Sequence, residues 1–243
     1  FGSEGADSFD RIDFRCEQNC SWANGYDDNT LIHEVFSRDS QRDMGQTYNR
    51  SRYYHLFLNG VYWGVYQTEE RFNAAYLQSY LGGSESNYDV VRTYNDYGRI
   101  YHTGVVEGDP AAWSNLWHIT MNEGYGAGHE ANFNRVLGLD PDGTRNPAYP
   151  IYVNVTNLVC YLLTSQFTVD GDTPASTGSA NNINAFRNRV EGDCAVEGFC
   201  WNRHDSEHAL GHGTQSGSYY DAKIITYGSK ARGFSTLDKF NPA

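Results

Sequence analysis

Two acidic loops contain the residue types that phosphoryl transfer needs. Asp170-Gly-Asp172 is followed by the amides Asn181-Asn182, and Asp205 follows a further predicted strand. In that chemistry one Asp orients the attacking hydroxyl, while an Asn and a second Asp hold Mg²⁺, which neutralises the charge of the phosphate. Loops are also rich in Asp and Asn because these residues form turns, so the spacing leaves a purely structural role open.

The segment 204–208 contains a second candidate constellation, an H-x-x-E-H zinc motif. On a helix, His204 and His208 would share a face and bind Zn²⁺, with Glu207 as the base of a hydrolase. Glycines follow closely and would end such a helix early, and an acidic third ligand has to come from elsewhere. Histidines that hydrogen-bond nearby backbone are the structural alternative.

The segment 53–72 carries a strong hairpin signal, and three charged residues, Glu69-Glu70-Arg71, lie near its end. Asn59-Gly60 predicts a type I′ turn, which needs positive φ at both central positions. Bulky residues on both faces indicate a hairpin covered on both sides, and Gly64 indicates a bulge or a close backbone approach. The charges then form either a surface ion pair or a hinge carboxylate that receives a ribose or an amine. The predicted cross-strand pairs are Leu58 with Val61, Leu56 with Trp63, and His55 with Gly64.

The remaining pattern predicts an α+β protein with a strand-rich lobe followed by a helix-rich lobe. The aromatic-rich region 94–125 is either a substrate-facing loop or an irregular packed insertion, and common burial of aromatic residues favours packing. The first helix should place Leu31, Val35 and Phe36 on one apolar face. We expect strands at 12–14, 88–92, 183–189 and 198–202, and helices from 28 or 29 to about 43, at 73–81, at 110–121 and at 154–167.

Composition limits the classes of partner. The 243 residues include 18 Lys and Arg against 30 Asp and Glu, a formal net charge of -12, which argues against nucleic acid and anionic membranes. A phosphorylated ligand remains compatible, because a divalent cation bridges acid to phosphate. No apolar run reaches the roughly 18 residues of a membrane span. The chain begins at Phe1 without Met or an apolar leader, and we expect it to be truncated at both ends.

The five cysteines fall into two close pairs and one single residue. Cys16 with Cys20 and Cys194 with Cys200 predict two local disulfides, as in an exported protein. Free thiols and a four-thiolate zinc site are the alternatives, although zinc knuckles have tighter spacing. Cys160 lies in an apolar run and is expected to be an inert buried thiol.

Several segments in a fixed order resemble the CotH kinase family, the spore-coat protein kinases and their exported relatives. The resemblance runs from about residue 5 to the end of the chain, and the hairpin with Glu70-Arg71 is its most specific part. The other segments that carry it are FDRIDFR at 9–15, Gly82-Gly83 with YDVV at 88–91, Asn181-Asn182 before Ile183, and HDSEHAL at 204–210.

The resemblance implies one domain, 1–243, with an atypical protein-kinase-like fold. Its small lobe would span about 1–70 and would be incomplete, and its large lobe would span about 71–243. The implied activity is transfer of the ATP γ-phosphate, with Mg²⁺, to Ser or Thr of an extracellular, surface or spore-coat protein. A secreted or cell-surface location follows from the same relatives.

Residue by residue, the resemblance assigns the catalytic role to Asp172 and the metal to Asn182 and Asp205. Glu70, where the second hairpin strand enters the hinge, becomes the nucleotide contact, and Arg15 becomes a second, phosphate-contacting candidate. Asp170 and Asn181 remain rivals, because the loop between Asp172 and Asn182 is longer than in typical relatives. A non-catalytic adhesion or matrix-binding domain on the same fold is the alternative function, motivated by the incomplete small lobe and the aromatic region 94–125.

Overall fold

Two antiparallel sheets and the helices around them form the fold. The computed structural model describes residues 1–17, 20–27, 29–96, 100–170, 173 and 182–211. Both strands and helices are present, so the α+β class is confirmed. The elements are β1 (Ile12–Arg15), α1 (His33–Asp43), β2 (Ser51–Leu58), β3 (Val61–Glu70), α2 (Ala74–Leu81), β4 (Tyr88–Asp96), β5 (Ile100–Glu107), α3 (Ala111–His118), α4 (Ala131–Val136), α5 (Val155–Phe167), β6 (Asn184–Asn188) and β7 (Cys200–Asn202).

The first sheet has the order β1-β3-β2 and contains the predicted hairpin. Asn59 and Gly60 have φ of 50° and 80°, as a type I′ turn requires. The pair Leu58–Val61 is confirmed, but the register shifts by one residue between Leu56 and Phe57. Leu56 therefore lies opposite Gly64, whose φ of 135° marks the bulge, and the predicted pairs of Leu56 with Trp63 and His55 with Gly64 are wrong.

The hairpin tip is exposed, so the prediction that it is covered on both sides is wrong. Phe57 and Trp63 each leave 59% of their surface in solvent. The reason lies in the length of the neighbouring strand, since β1 pairs with β3 only from Gln67 to Glu70. Leu58, Val61 and Tyr62 are also exposed at the tip, and Tyr53 and Tyr54 are exposed nearer the base of β2.

The second sheet has the order β5-β4-β6-β7, and the larger apolar core lies against it. Trp113 of α3 contacts Phe199 edge to face at 5.0 Å between ring centroids. Tyr161 of α5 belongs to the same core, while a smaller cluster lies beneath α2. The region after residue 94 thus forms a strand, β5, and a core helix, α3, which agrees with packing rather than with an irregular loop.

Two helices begin where the sequence predicts. The side chains of Asn73 and Asn154 each accept a hydrogen bond from the backbone N–H three residues later, which caps α2 and α5. Helix α2 is followed by Gly82 at its C-cap, so the predicted end of this helix at residue 81 is confirmed. In the part of the chain that the structure describes, no helix is long and apolar enough to cross a membrane.

Helix α1 buries a polar face, and the predicted apolar face is wrong. The helix begins at His33 rather than near 28, so Leu31 precedes it, and Phe36 faces solvent. The charged face packs inward because it meets oppositely charged groups on β1 and β3. The buried side chains of α1 are His33, Glu34, Ser37, Arg38 and Gln41.

None of the five cysteines, which all lie in the described part of the chain, forms a disulfide, so the two predicted disulfides are absent. Cys194 donates instead to the carbonyl oxygen of Val196, with its sulfur 3.0 Å away. Cys200 is buried in β7, and burial raises the pKa of its thiol. The disulfide pairs inferred from spacing are therefore not confirmed.

Candidate functional site

A cleft of about 310 Å³ separates the two sheets at the carboxyl end of β3. Charged and amide side chains from both sheets line it, which suits a polar, charged ligand rather than an apolar one. Arg15 and Glu69 face it from the first sheet, Arg92 and Asn184 from the second, and His204 from the segment after β7.

Arg15 is the centre of the charge network at one end of the cleft. Its Nε lies 2.9 Å from Glu34, and its Nη2 lies 3.0 Å from Glu207 and also contacts Asp205. Burial disfavours the charged guanidinium, but Glu34, Glu69 and Asp205 outweigh burial and raise the pKa of Arg15. A single cation thus connects β1, α1 and the segment after β7.

Glu34 stands at this point because α1 turns its polar face inward. Its carboxylate accepts hydrogen bonds from the side chain of Gln67 and from the backbone N–H of Asp205, both at 3.0 Å. Burial raises its pKa, but the charges of Arg15 and Arg38 outweigh burial and hold the pKa below its usual value. Glu34 is therefore an ionised, anchored carboxylate.

Asp205 and Glu207 form an unequal pair of acids. Burial raises the pKa of Asp205, but Arg15 and His204 outweigh it and leave the pKa well below its usual range. Burial and the neighbouring charge of Asp205 raise the pKa of Glu207 far above its usual range. Glu207 consequently keeps its proton and hydrogen-bonds to the ionised Asp205, which sits in a left-handed backbone conformation with φ of 55°.

Glu69 and Glu70 point to opposite sides of β3 because side chains alternate along a strand. Glu69 lines the cleft and contacts Arg38. Glu70 is buried on the other side, where it accepts a hydrogen bond from the hydroxyl of Tyr80 and lies 3.8 Å from Arg50. The nucleotide contact predicted for the Glu70 side chain thus lies away from the cleft, and Glu69 is the acid that reaches it.

The zinc-hydrolase arrangement is wrong in its geometry. The segment 204–208 is not helical, so His204 and His208 do not share a helical face. Glu207 contacts Arg15, and His208 Nε2 lies 4.0 Å from Cys20 Sγ. Among the described residues, the group with ligand atoms within 4.8 Å of one another is instead Glu34, Glu69 and His204.

The catalytic-loop candidates are only partly placed. Asp172 and Asn181 lie outside the described residues. Asn182 is buried two residues before β6 begins, with φ of 60°. Asp170 is buried and paired with Arg203, which makes Asp170 part of a structural ion pair. The structure brings Arg15 and Asp205 into contact.

Arg203 makes several further contacts besides its ion pair with Asp170. Its guanidinium donates to the hydroxyl groups of Ser37 at 2.9 Å and of Ser165 and Ser206 at 2.8 Å. The three serines belong to α1, α5 and the segment after β7. Asp170 and the Asp205 segment are therefore held by the same side chain.

The donors at this end of the cleft fit a magnesium ion. Mg²⁺ prefers oxygen ligands, and it usually keeps several waters beside one or two carboxylates. The ionised Asp205 supplies a carboxylate, and the neighbouring Glu34 and Glu69 add negative charge. Asn182 remains the neutral oxygen donor that the sequence predicts for this ion.

The opposite end of the cleft is basic. Arg71 and Arg92 line it, with Arg71 2.8 Å from Asp13 and Arg92 3.7 Å from Glu107. Burial first, and then the charge of Arg71, lower the pKa of Arg92. The sequence reasoning missed Glu34 and Arg92. The polar periodicity of α1 is the signal that could have identified Glu34, whereas nothing in the run around Arg92 distinguishes it.

A strand arginine paired with a helix glutamate, beside an acid that follows a short strand, resembles the lysine–glutamate pair and the metal-binding Asp of protein kinases. A family model described as CotH kinase protein matches residues 4–197, and the chain belongs to this family. A search of curated proteins finds no match. The family resemblance read from the sequence is therefore confirmed over residues 4–197, whereas the segment 204–210 with Asp205 lies beyond the matched range.

Proposed function

We propose that this protein transfers the γ-phosphate of ATP to a Ser or Thr hydroxyl of a protein substrate. The observation that carries the proposal is the contact of Arg15 with both Glu34 and Asp205. In protein kinases a lysine–glutamate ion pair between a small-lobe strand and a helix must be in place for transfer, together with a metal-binding Asp. Arg15, Glu34 and Asp205 supply the same three charges here.

The roles of the residues follow from this arrangement. Asp205 and Asn182 are the metal ligands, and Arg15 donates to the phosphates while Glu34 orients it. Asp172, outside the described residues, orients the substrate hydroxyl. Asp170 has a structural role instead, because it forms a buried ion pair with Arg203. Bound Mg·ATP supplies the phosphoryl group and neutralises its developing charge. The proposal includes no role for Glu70 at the nucleotide, because its side chain lies behind β3.

The substrate class and the location are proposed from the family. We assign the protein to a secreted or cell-surface setting, with a Ser/Thr-containing surface or spore-coat protein as substrate. The net charge of -12 supports a substrate segment with basic residues near the acceptor hydroxyl.

A non-catalytic binding domain on the same fold is the second candidate. The exposed aromatic hairpin tip favours it, because clusters of exposed Phe, Tyr and Trp are typical of binding surfaces. This candidate would use the hairpin rather than the cleft. It therefore predicts that substitution of Asp205 or Arg15 leaves binding of the partner unchanged.

The two candidates are separated by thermal unfolding with and without Mg·ATP. A ligand at about 100 times its Kd should stabilise the folded protein by roughly 2.7 kcal/mol. A shift that needs both Mg²⁺ and ATP, together with radiolabel transfer to a mixed Ser/Thr peptide pool, supports the kinase. Absence of the shift at millimolar Mg·ATP would favour the binding domain.

A further inference from the structure

An apolar stripe runs along the outer side of α5. Its members, Val155, Val159, Leu163 and Phe167, are spaced four residues apart, and the Phe36 ring of α1 extends the row at 6.2 Å from Phe167. Leu163 is 53% exposed and Phe167 is 68% exposed. We call these five residues the α5 stripe.

Side chains four residues apart form the ridge that one packed element presents to another. The inner side of α5 is already used, because Asn157, Tyr161, Thr164 and Ser165 face the core. The stripe covers about 18 Å of helix, from the rise of 1.5 Å per residue. A continuous apolar row of this kind is typical of a covered surface rather than of scattered exposed residues.

The described chain ends beside this stripe. The backbone N–H of Leu210 donates to the carbonyl oxygen of Thr168 at 2.6 Å, one residue beyond Phe167. Residues Ala209–Gly211 form a short 3₁₀ turn there, and Leu210 itself is exposed. Whatever follows Gly211 in the sequence therefore starts at one end of the stripe.

The composition of residues 212–243 matches that surface in length, apolarity and charge. At about 3.3 Å per extended residue, fewer than ten of its residues span the stripe. It has two acids and four basic residues, so its charge is +2, while residues 1–211 have 14 basic and 28 acidic residues and a charge of -14. Its large apolar and aromatic residues are Tyr219, Tyr220, Ile224, Ile225, Tyr227, Phe234, Leu237 and Phe240.

We propose that residues 212–243 dock along the α5 stripe and cover it. Burial of Leu163, Phe167 and their neighbours supplies the apolar contact. The opposite charges of the two parts of the chain favour the association. The occupant of the stripe is thus the chain's own C-terminal segment, and the stripe is an internal packing surface.

The distribution of lysine provides a direct test. All three lysines of the protein, Lys223, Lys230 and Lys239, lie in 212–243, so a lysine-specific protease cuts nowhere else. Cleavage of the full chain tracks the population in which the segment is released. We expect native protein to be cut at least about 10-fold more slowly than the same chain in denaturant, under protease activity matched with a control peptide.

A charge placed on the stripe should remove the protection. Leu163→Asp is expected to raise the cleavage rate of the native protein at least about 10-fold, while Leu163→Met leaves it unchanged. Trp63→Asp, on the exposed hairpin tip, is the matched control and should leave the rate unchanged. Thermal unfolding of each variant establishes that it is folded. We expect all of them to fold, because substitutions at exposed positions usually change the free energy of unfolding only slightly.

Three results would overturn the proposal. The first is native cleavage as fast as cleavage of the denatured chain. The second is a folded Leu163→Asp variant that is cut no faster than the parent protein. The third is protection that increases with protein concentration, since this would make a second copy the occupant of the stripe.

Discussion

Arg15 and Glu34 join the first sheet to helix α1 through a contact of 2.9 Å between Nε and a carboxylate oxygen. Glu34 also accepts the backbone N–H of Asp205. A displacement of α1 therefore moves the partners of both a strand cation and a loop acid. The proposed site therefore forms only when α1 is in the position that lets Glu34 contact both Arg15 and Asp205.

Arg15 should be needed for stability as a charge and for transfer as a guanidinium. Arg15→Met leaves Glu34 and Asp205 without their shared cation, and breaking such a buried network costs about 3–5 kcal/mol. Arg15→Lys keeps the charge but not the fork, so it should recover much of the stability and little of the transfer rate. Chemical denaturation and phosphoryl-transfer assays measure the two effects. Equal recovery of both would contradict a role in transfer.

Asp205 should be essential for transfer and dispensable for the fold. Asp205→Asn removes the proposed metal carboxylate, and we expect the Mg·ATP-dependent rate to fall at least about 100-fold. The far-UV circular dichroism should stay unchanged. Asp142→Asn, in an exposed turn away from the cleft, serves as control. Full activity of the Asp205 variant would exclude it as a metal ligand.

The buried pair Asp170–Arg203 should respond to single and double substitutions very differently. Arg203→Met leaves the carboxylate of Asp170 buried and unneutralised, with an expected loss of about 3–5 kcal/mol. Adding Asp170→Asn removes the stranded charge, so the double variant should be more stable than Arg203→Met alone. Urea unfolding of the Arg203→Met, Asp170→Asn and double variants gives the coupling free energy between the two residues. Additive losses would mean that the pair does not act as a unit.

Glu70 should make stability depend on pH without affecting nucleotide binding. Burial raises its pKa above the usual value, although Tyr80 and Arg50 oppose the effect. The folded state then binds the proton more tightly, so this contribution is complete below the unfolded pKa and is lost as pH rises through the folded pKa. Relative to Glu70→Gln, the parent protein should therefore lose unfolding free energy as the pH rises above the unfolded pKa of a glutamate, about 4.3.

The same Glu70→Gln variant tests the direction of the side chain. Because the carboxylate of Glu70 lies behind β3, against Tyr80, the Kd for Mg·ATP should remain within about twofold of the parent value. Isothermal titration measures that constant. A tenfold weaker affinity would restore Glu70 as a nucleotide contact.

Gly64 should tolerate no side chain at the bulge. Its φ of 135° is a conformation that other residues adopt only with strain, and Gly64→Ala is expected to cost about 1–3 kcal/mol. Gly126 has ordinary φ and open space where the methyl group of an alanine would lie, so Gly126→Ala should stay within about 0.5 kcal/mol. Thermal unfolding compares them. A Gly64 variant as stable as the parent would mean that the bulge can be rearranged.

Local signals predicted the fold where they act over a few residues. The Asn59-Gly60 turn and the positions of α2 and α5 could be predicted because each depends mainly on neighbouring residues. The burial of α1 could not be predicted in this way, since its inward face is polar and is stabilised by Arg15 and other charges that are distant in sequence. Apolar periodicity carries no information about such a face.

The candidate site was readable only where an acid follows a strand. Asp205 was identified in this way, and Arg15 through the family resemblance. The choice between Glu69 and Glu70 depended on the β3 register, because a one-residue difference places the carboxylate on the opposite face. Asp172 lies outside the described residues, so its catalytic role remains a prediction.

The bulge between Leu56 and Phe57 also bears on how the exposed hairpin remains free of other chains. β2 is an edge strand, and exposed aromatic edges readily recruit a strand from another molecule into a shared sheet. The bulge adds local twist and interrupts the regular ladder. It therefore makes the hairpin a poor template for fibril growth while leaving its aromatic side chains available to a partner.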